Sequence, residues 1–256
     1  MRTSFKLATA AFGAAALIPL GMTSAFAATG GGGANANLAP IALNGVNGSG
    51  TAMVTVKGNV ISVTMAAKGL LADSPHAAHI HFGADARHEC PAATDDTNKD
   101  GHLNTTEGGP AYGAVVVSLT TSGDTSPAST LAIDRFNKAP GGKLAYKRGS
   151  ITVAPEVAAA ISAGQAVVVI HGVDYNGNGK YDGTVMSDLD PKLPTEATDP
   201  ALCGVLKAAP KGSMATGAGG ASSSLNDEGL LVAGGALLLA AAGTGVYVAR
   251  RARAQA

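Results

Sequence analysis

An antiparallel all-β domain of sandwich or barrel type is the fold the sequence predicts, and three observations predict it. Alternating apolar and polar residues flank a tight turn at Lys57-Gly58-Asn59, in "TAMVTVKGNVISVTMAAKGL". Further short strand-like runs follow between turn signals: "AAHIHF", "YGAVVVSLT", "STLAID", "GSITV", "QAVVVIHGV" and "ALCGVLK". One segment alone, "APEVAAAISAGQ" (Ala154 to Gln165), reads as a short helix. Many strands with one small helix favour two packed β layers.

Taken in chain order, the first element is an export signal. Arg2 and Lys6 precede a long apolar run that ends in Ala25-Phe26-Ala27, a small-x-small cleavage pattern. Residues 1–27 therefore read as a signal peptide; the alternative is a retained anchor helix. Residues 28–40, with "TGGGGANANLAP", read as a flexible lead-in. Residues 41–208 carry the strands and form the one folded domain. Within it, Pro155 opens the helix and Gly164 closes it. Trp is absent and aromatics make up 4% of the chain, so Val, Ile, Leu and Ala must fill the core. Residues 209–228 are a Gly/Ser/Ala linker. Residues 229–248 are twenty uncharged residues, long enough to cross a hydrocarbon core about 30 Å thick. The tail, 249–256, holds Arg250, Arg251 and Arg253 and belongs in the cytoplasm by the positive-inside rule. The expectation is an exported, single-pass protein, tethered to the cell membrane with its β domain outside. "LPTEA" (Leu193 to Ala197) is no wall-sorting signal: it lies far upstream of the span and its fourth residue is wrong.

The chain has 18 basic and 18 acidic residues. All the acidic ones lie between Ala28 and Glu228, where only thirteen basic residues remain, so this part carries −5. That excludes a nucleic-acid partner recognised by bulk charge. The two cysteines, Cys90 and Cys203, are expected to be bonded in an exported chain; free thiols serving as metal ligands are the alternative.

Chemistry concentrates in "SPHAAHIHFGADARHEC" (Ser74 to Cys90), which holds four of the six histidines. Alternate residues of a strand share a face, so His79 and His81 project together while Ile80 turns the other way. His171 closes the apolar strand "QAVVVIH", and His76 stands at the mouth of the first strand. Imidazole-only ligation suits copper or zinc. The alternative is that these are polar strand ends meeting water or backbone.

These residues resemble a family. The run "GSGTAMVTVKGNVISVTMAAKGLLADSPHAAHIHFG" is similar to the first strands of copper–zinc superoxide dismutases, with His76, His79 and His81 on that family's H-x-x-H-x-H pattern. "VVVIHG" resembles its later copper-ligand strand, and "ALCGVLK" its terminal strand. "AHIHFG" and "VVVIHG" also resemble CHRD domains, relatives of that fold without established catalysis. The resemblance implies a Greek-key sandwich or barrel, copper at His79, His81 and His171 with His76 as a further candidate, and a Cys90–Cys203 disulfide. It departs at three points. Asp96 stands where the family has its bridging His, Glu107 where the family's "HGGP" has its His, and Pro200 where the family has its active-site Arg; no His pattern matches the family's zinc ligands. A zinc site is therefore not expected. His88 or His102 could supply a fourth ligand, though nothing in their spacing requires it.

"DTNKDGHLNTTE" (Asp96 to Glu107) fits the calcium-loop pattern D-x-[DN]-x-[DN]-G-x5-E at every specified position. Asp96, Asn98 and Asp100 would offer side-chain oxygens, His102 its carbonyl and Glu107 a bidentate carboxylate. No flanking helices are predicted, and a solvated turn is the alternative. "DYNGNGKYDG" is a partial second copy through Asp174, Asn176, Asn178 and Asp182, with Val185 in the place of the Glu.

Three functions compete on this reading. The first is a surface module that binds or handles copper, with calcium in its loops. The second is a copper-only superoxide dismutase. The third is a structural module without functional metal.

Overall fold

The computed structural model describes residues 32–209. The signal peptide (1–27), most of the linker (209–228), the apolar span (229–248) and the basic tail (249–256) lie outside the described residues. Among the described residues no helix is long and apolar enough to cross a membrane.

Among the described residues, nine strands, antiparallel at every pairing, make the fold. They are β1 (Gly32–Pro40), β2 (Ser49–Lys57), β3 (Val60–Lys68), β4 (Ala78–Phe82), β5 (Ala114–Ser118), β6 (Lys143–Thr152), β7 (Val167–His171), β8 (Pro200–Val205) and β9 (Lys207–Ala208). The helices are α1 (Thr105–Tyr112), α2 (Pro155–Ala163) and the single turn α3 (Thr195–Thr198). The strand order is β5-β4-β7-β8-β1-β2-β3-β6, with β9 beside β1.

β1 joins the two halves of the sheet. Gly32 to Leu38 pair with β2, while Ala39 and Pro40 pair with β8. The sheet curls about this strand, so inward residues of both halves meet in one core. Val54, Ile61, Val63 and Met65 from one half join Ile80, Val168, Ile170 and Leu202 from the other. β3 shows the expected alternation of a one-sided strand. β7 is buried at all five positions, because its second face is also covered. There Val167, Val169 and Cys203 pack with Ile41, Leu103 and Tyr112. This two-sided burial lets a strand read as an unbroken apolar run.

Several expectations are corrected here. The lead-in ending at residue 40 contains a strand, β1, from Gly32 on. Its glycines suggested a loose chain, yet Ala34, Ala36 and Leu38 alternate inward and are buried. "STLAID" is not a strand: residues 127–129 and 133–135 form short helical turns. "GSITV" is the end of the longer β6. The single predicted helix, α2, is present, but α1 and α3 accompany it. α1 was missed because its "TTEGGPAY" has weak helix formers and an internal Pro110; an Asn104/Glu107 capping box holds its start.

Two ties fasten the covering segments to the sheet. The Cys90–Cys203 disulfide fixes the loop after β4 to β8, across 113 residues of sequence. Buried Asn44 donates to the carbonyls of Leu103 (2.9 Å) and Pro200 (2.8 Å) and accepts the Leu103 N–H (2.7 Å). Replacing it by Ala would leave three backbone groups without partners. We predict that Asn44→Ala destabilises the protein by about 2–4 kcal/mol, a fall of about 5–15 °C in melting temperature for a domain of this size. Thermal unfolding checks it, and a change under 2 °C would contradict it.

Candidate metal centre

His79 and His81 leave β4 on the outer face, and His171 ends β7 beside them. Opposite His79 across β4–β7 lies Val169, and opposite His81 lies Val167. Register shifts fall at both histidine strands, between Ile80 and His81 in the β4–β5 pairing and between Ile170 and His171 in the β7–β8 pairing. Such bulges re-aim side chains. The three rings sit together, with centroids 5.1 Å (His79–His171), 5.7 Å (His79–His81) and 5.9 Å (His81–His171) apart. All three residues are buried, at 2–3% exposure.

Each ring spends one nitrogen on a backbone carbonyl. His79 Nε2–H donates to Thr130 (3.1 Å), His81 Nδ1–H to Gly113 (3.0 Å) and His171 Nδ1–H to Thr198 (2.6 Å). A carbonyl only accepts, so these bonds set the tautomers. The remaining nitrogens, His79 Nδ1, His81 Nε2 and His171 Nε2, are buried and have no partner. One ligand atom from each residue lies within 4.8 Å of the others. Burial, reinforced by the neighbouring imidazoles, holds His79 well below the usual histidine range. Burial also lowers His81 to about 3 and His171 to about 4. All three rings are neutral at pH 7, with free lone pairs.

Buried polar atoms normally have partners. Three converging orphans, each on a ring oriented by its other nitrogen, make a donor set that could hold a metal ion. The residues fit a metal ion, and imidazole is a ligand for several. Gly113 matters to this arrangement. It closes α1 with φ of 87°, and a Cβ there would come within 2.6 Å of Phe82 and Gly83 backbone atoms.

His76 does not join the triad, which corrects its candidacy. Its Nδ1 faces the His171 carbonyl at 2.8 Å and its Nε2 the Leu71 carbonyl at 3.0 Å, under the edge of Tyr181. Gly172 leaves room for this packing: with φ of 110°, its missing Cβ would meet Tyr181 Oη and His76 Nδ1. His88 stacks on Phe82 and His102 packs at a tilt against Tyr175, so neither lies in the triad.

Over the three imidazoles lies a cavity of about 210 Å³. Its walls include Tyr112, Val115, Leu131, Ile133, Leu189 and Leu193, and no charged residue lines it. These walls come from segments distant in sequence, and nothing in their spacing announced them.

The two Asp/Asn/Gly loops adopt the same turns. In the first, Asp96 Oδ2 accepts from Gly101, Asn98 Oδ1 from Asp100 and Asp100 Oδ1 from His102. In the second, Asp174 Oδ2 accepts from Gly179, Asn176 Oδ1 from Asn178 and Asn178 Oδ1 from Lys180. Glu107 accepts backbone N–H bonds from Thr97, Asn98 and Asn104. The second loop has Val185 in sequence where a Glu was wanted. Glu196 of α3 fills an equivalent role in space, accepting from Tyr175, Asp182 and Gly183. Sequence spacing could not find Glu196. The first loop also has an exit helix after all, since α1 starts at its tenth position.

The chain has no significant match among protein-family models or curated proteins. What fold and site define is a class: a curled antiparallel β domain with one disulfide and a buried tris-histidine pocket suited to a metal ion.

The geometry makes a direct prediction. In the metal-free protein at pH 7, long-range 1H–15N NMR should find His79 as the Nε2–H tautomer and His81 and His171 as Nδ1–H tautomers. A charged ring, or the opposite tautomer at any of the three, would contradict it.

Proposed function

We propose that this protein is an exported, membrane-tethered copper-binding module of the superoxide dismutase-like or CHRD type. The observation that carries the reading is the convergence of three unpartnered ring nitrogens from His79, His81 and His171. These are the residues that fall on the copper-ligand positions of the family the sequence resembles. Imidazole donors alone suit copper or zinc, and the family resemblance favours copper of the two. Copper held by His79, His81 and His171 would supply a redox-capable centre. The chain's residues supply three neutral, deeply buried ligand nitrogens and fix the orientation of each ring. Export is supported by the signal-like first 27 residues and by the disulfide, which persists in oxidising compartments. The tether is supported by the uncharged stretch 229–248.

The role is binding or copper handling rather than rapid superoxide removal. A dismutase gains from positive charge that draws the anion in. Here Pro200 takes the place of the family's Arg, and no cation lines the cavity. Copper titration followed by metal analysis should give one ion per chain. His81→Ala should weaken binding by more than the about 10–100-fold that loss of an outer-shell partner costs. Superoxide removal should fall far short of the diffusional ceiling of about 10⁸–10⁹ M⁻¹s⁻¹. Catalysis near that ceiling, abolished in His79→Ala, would establish the dismutase instead. No stoichiometric copper would leave a structural module.

Calcium in the loops is a second part of the reading. It is favoured by the shared turn pattern and by Asp96 Oδ1, which is buried without a partner. A ligand of the folded state alone stabilises by RT ln(1 + [L]/Kd), about 2.7 kcal/mol at a hundredfold excess. Calcium in the millimolar range should raise the melting temperature over that in chelator, and Glu107→Gln and Glu196→Gln should each reduce the rise. Identical melting curves with calcium and with chelator would remove calcium from the account.

A further inference from the structure

The cavity over the imidazoles has a chemical character of its own. Its walls are aliphatic and aromatic, and they include no Lys, Arg, Asp or Glu. Its few hydroxyls are already committed. Thr105 donates to the Thr198 carbonyl, Thr130 to Pro127, Tyr112 to Thr105 and Thr198 to Ser187 Oγ. The unpartnered polar atoms left at its floor, among the described residues, are the three histidine nitrogens. At its rim stand Leu131 and Leu189, large apolar side chains 38% and 42% exposed.

We propose that this cavity is a ligand site for a small, uncharged, largely apolar molecule of about the size of a six-membered ring. The ligand carries one lone-pair donor, directed at the histidine floor. Size sets the first limit. A cavity of about 150 Å³ lined by Leu, Ile and Phe takes up benzene, and this one is about 210 Å³.

Charge sets the second limit. An anion entering here must shed its water among walls that offer no free hydrogen-bond donor, and unpaired desolvation of a charge is costly. A metal ion at the floor attracts an anion by charge as well as by its lone pair. The proposal is that the anion's desolvation among these walls outweighs that attraction, and the azide titration below decides between the two. The exposed rim leucines fit the same class, since they offer an approaching apolar ligand its first contact. The donor atom's role rests on the copper reading; the apolar character of the site does not.

The test uses the full chain loaded with copper(II), titrated separately with pyridine and with azide. Visible absorption and electron paramagnetic resonance report what enters the coordination shell. Pyridine should bind at least tenfold more tightly than azide. Leu131→Lys, which places a cation at the exposed rim, should narrow that ratio at least tenfold, and Leu189→Lys is the substitute if the first variant melts early. Azide binding as tightly as pyridine, or a ratio indifferent to the rim lysine, overturns the proposal. If no copper spectrum develops, the copper reading fails by itself and the metal-free protein decides about the cavity. Benzene should then shift the methyl resonances of Leu131, Ile133, Leu189 and Leu193. Their failure to move also overturns the proposal.

Discussion

A neutral imidazole has one donor and one acceptor, and burying it leaves both in need of partners. In this protein the donors of three buried rings are taken by the carbonyls of Thr130, Gly113 and Thr198. The acceptors are left facing one another, and everything else about the site follows from this division. The carbonyls come from three separate segments laid over the outer face of β4 and β7. The site therefore exists only when those segments are in place. The packing of Leu103 and Tyr112 on β7, the disulfide and Asn44 hold the segments that carry Gly113 and Thr198. Without that cover the same histidines would be ordinary wet residues at strand ends.

The covering helices each serve two places. α1 ends at Gly113, whose carbonyl holds His81, and it also contains Glu107, which closes the first Asp/Asn loop. α3 ends at Thr198, whose carbonyl holds His171, and it contains Glu196, which closes the second. The two carboxylates act through backbone N–H groups, and the two carbonyls act on imidazole N–H groups. Order in the loops and order at the histidines thus run through the same short helices. The third acceptor, Thr130, stands in a helical turn whose neighbour Ser129 bonds Asp124 and Arg135.

The sequence made the β class, the central hairpin, α2 and the pairing of His79 with His81 legible, because each depends on a short-range period or a local cap. His171 was legible as the polar end of an apolar strand. β1 was not, since its inward face is largely Ala and its composition resembles a linker; the A-N-A-N-L alternation was the available signal. His76 was misplaced for a different reason. A motif spacing places a residue near a site but does not say whether its nitrogens are already used, and those of His76 face the Leu71 and His171 carbonyls. The cavity walls and Glu196 lie beyond any sequence pattern, because they meet the site only through tertiary packing.

The central claim is that three specific nitrogens, His79 Nδ1, His81 Nε2 and His171 Nε2, form one preorganised metal centre. Anomalous diffraction at the copper edge from crystals of the copper-loaded protein tests it most directly. The account predicts a single strong peak within about 2.0–2.2 Å of all three atoms, with each ring's other nitrogen still on its carbonyl. A peak elsewhere on the molecule, or at the triad but bound through the opposite nitrogens, would contradict it.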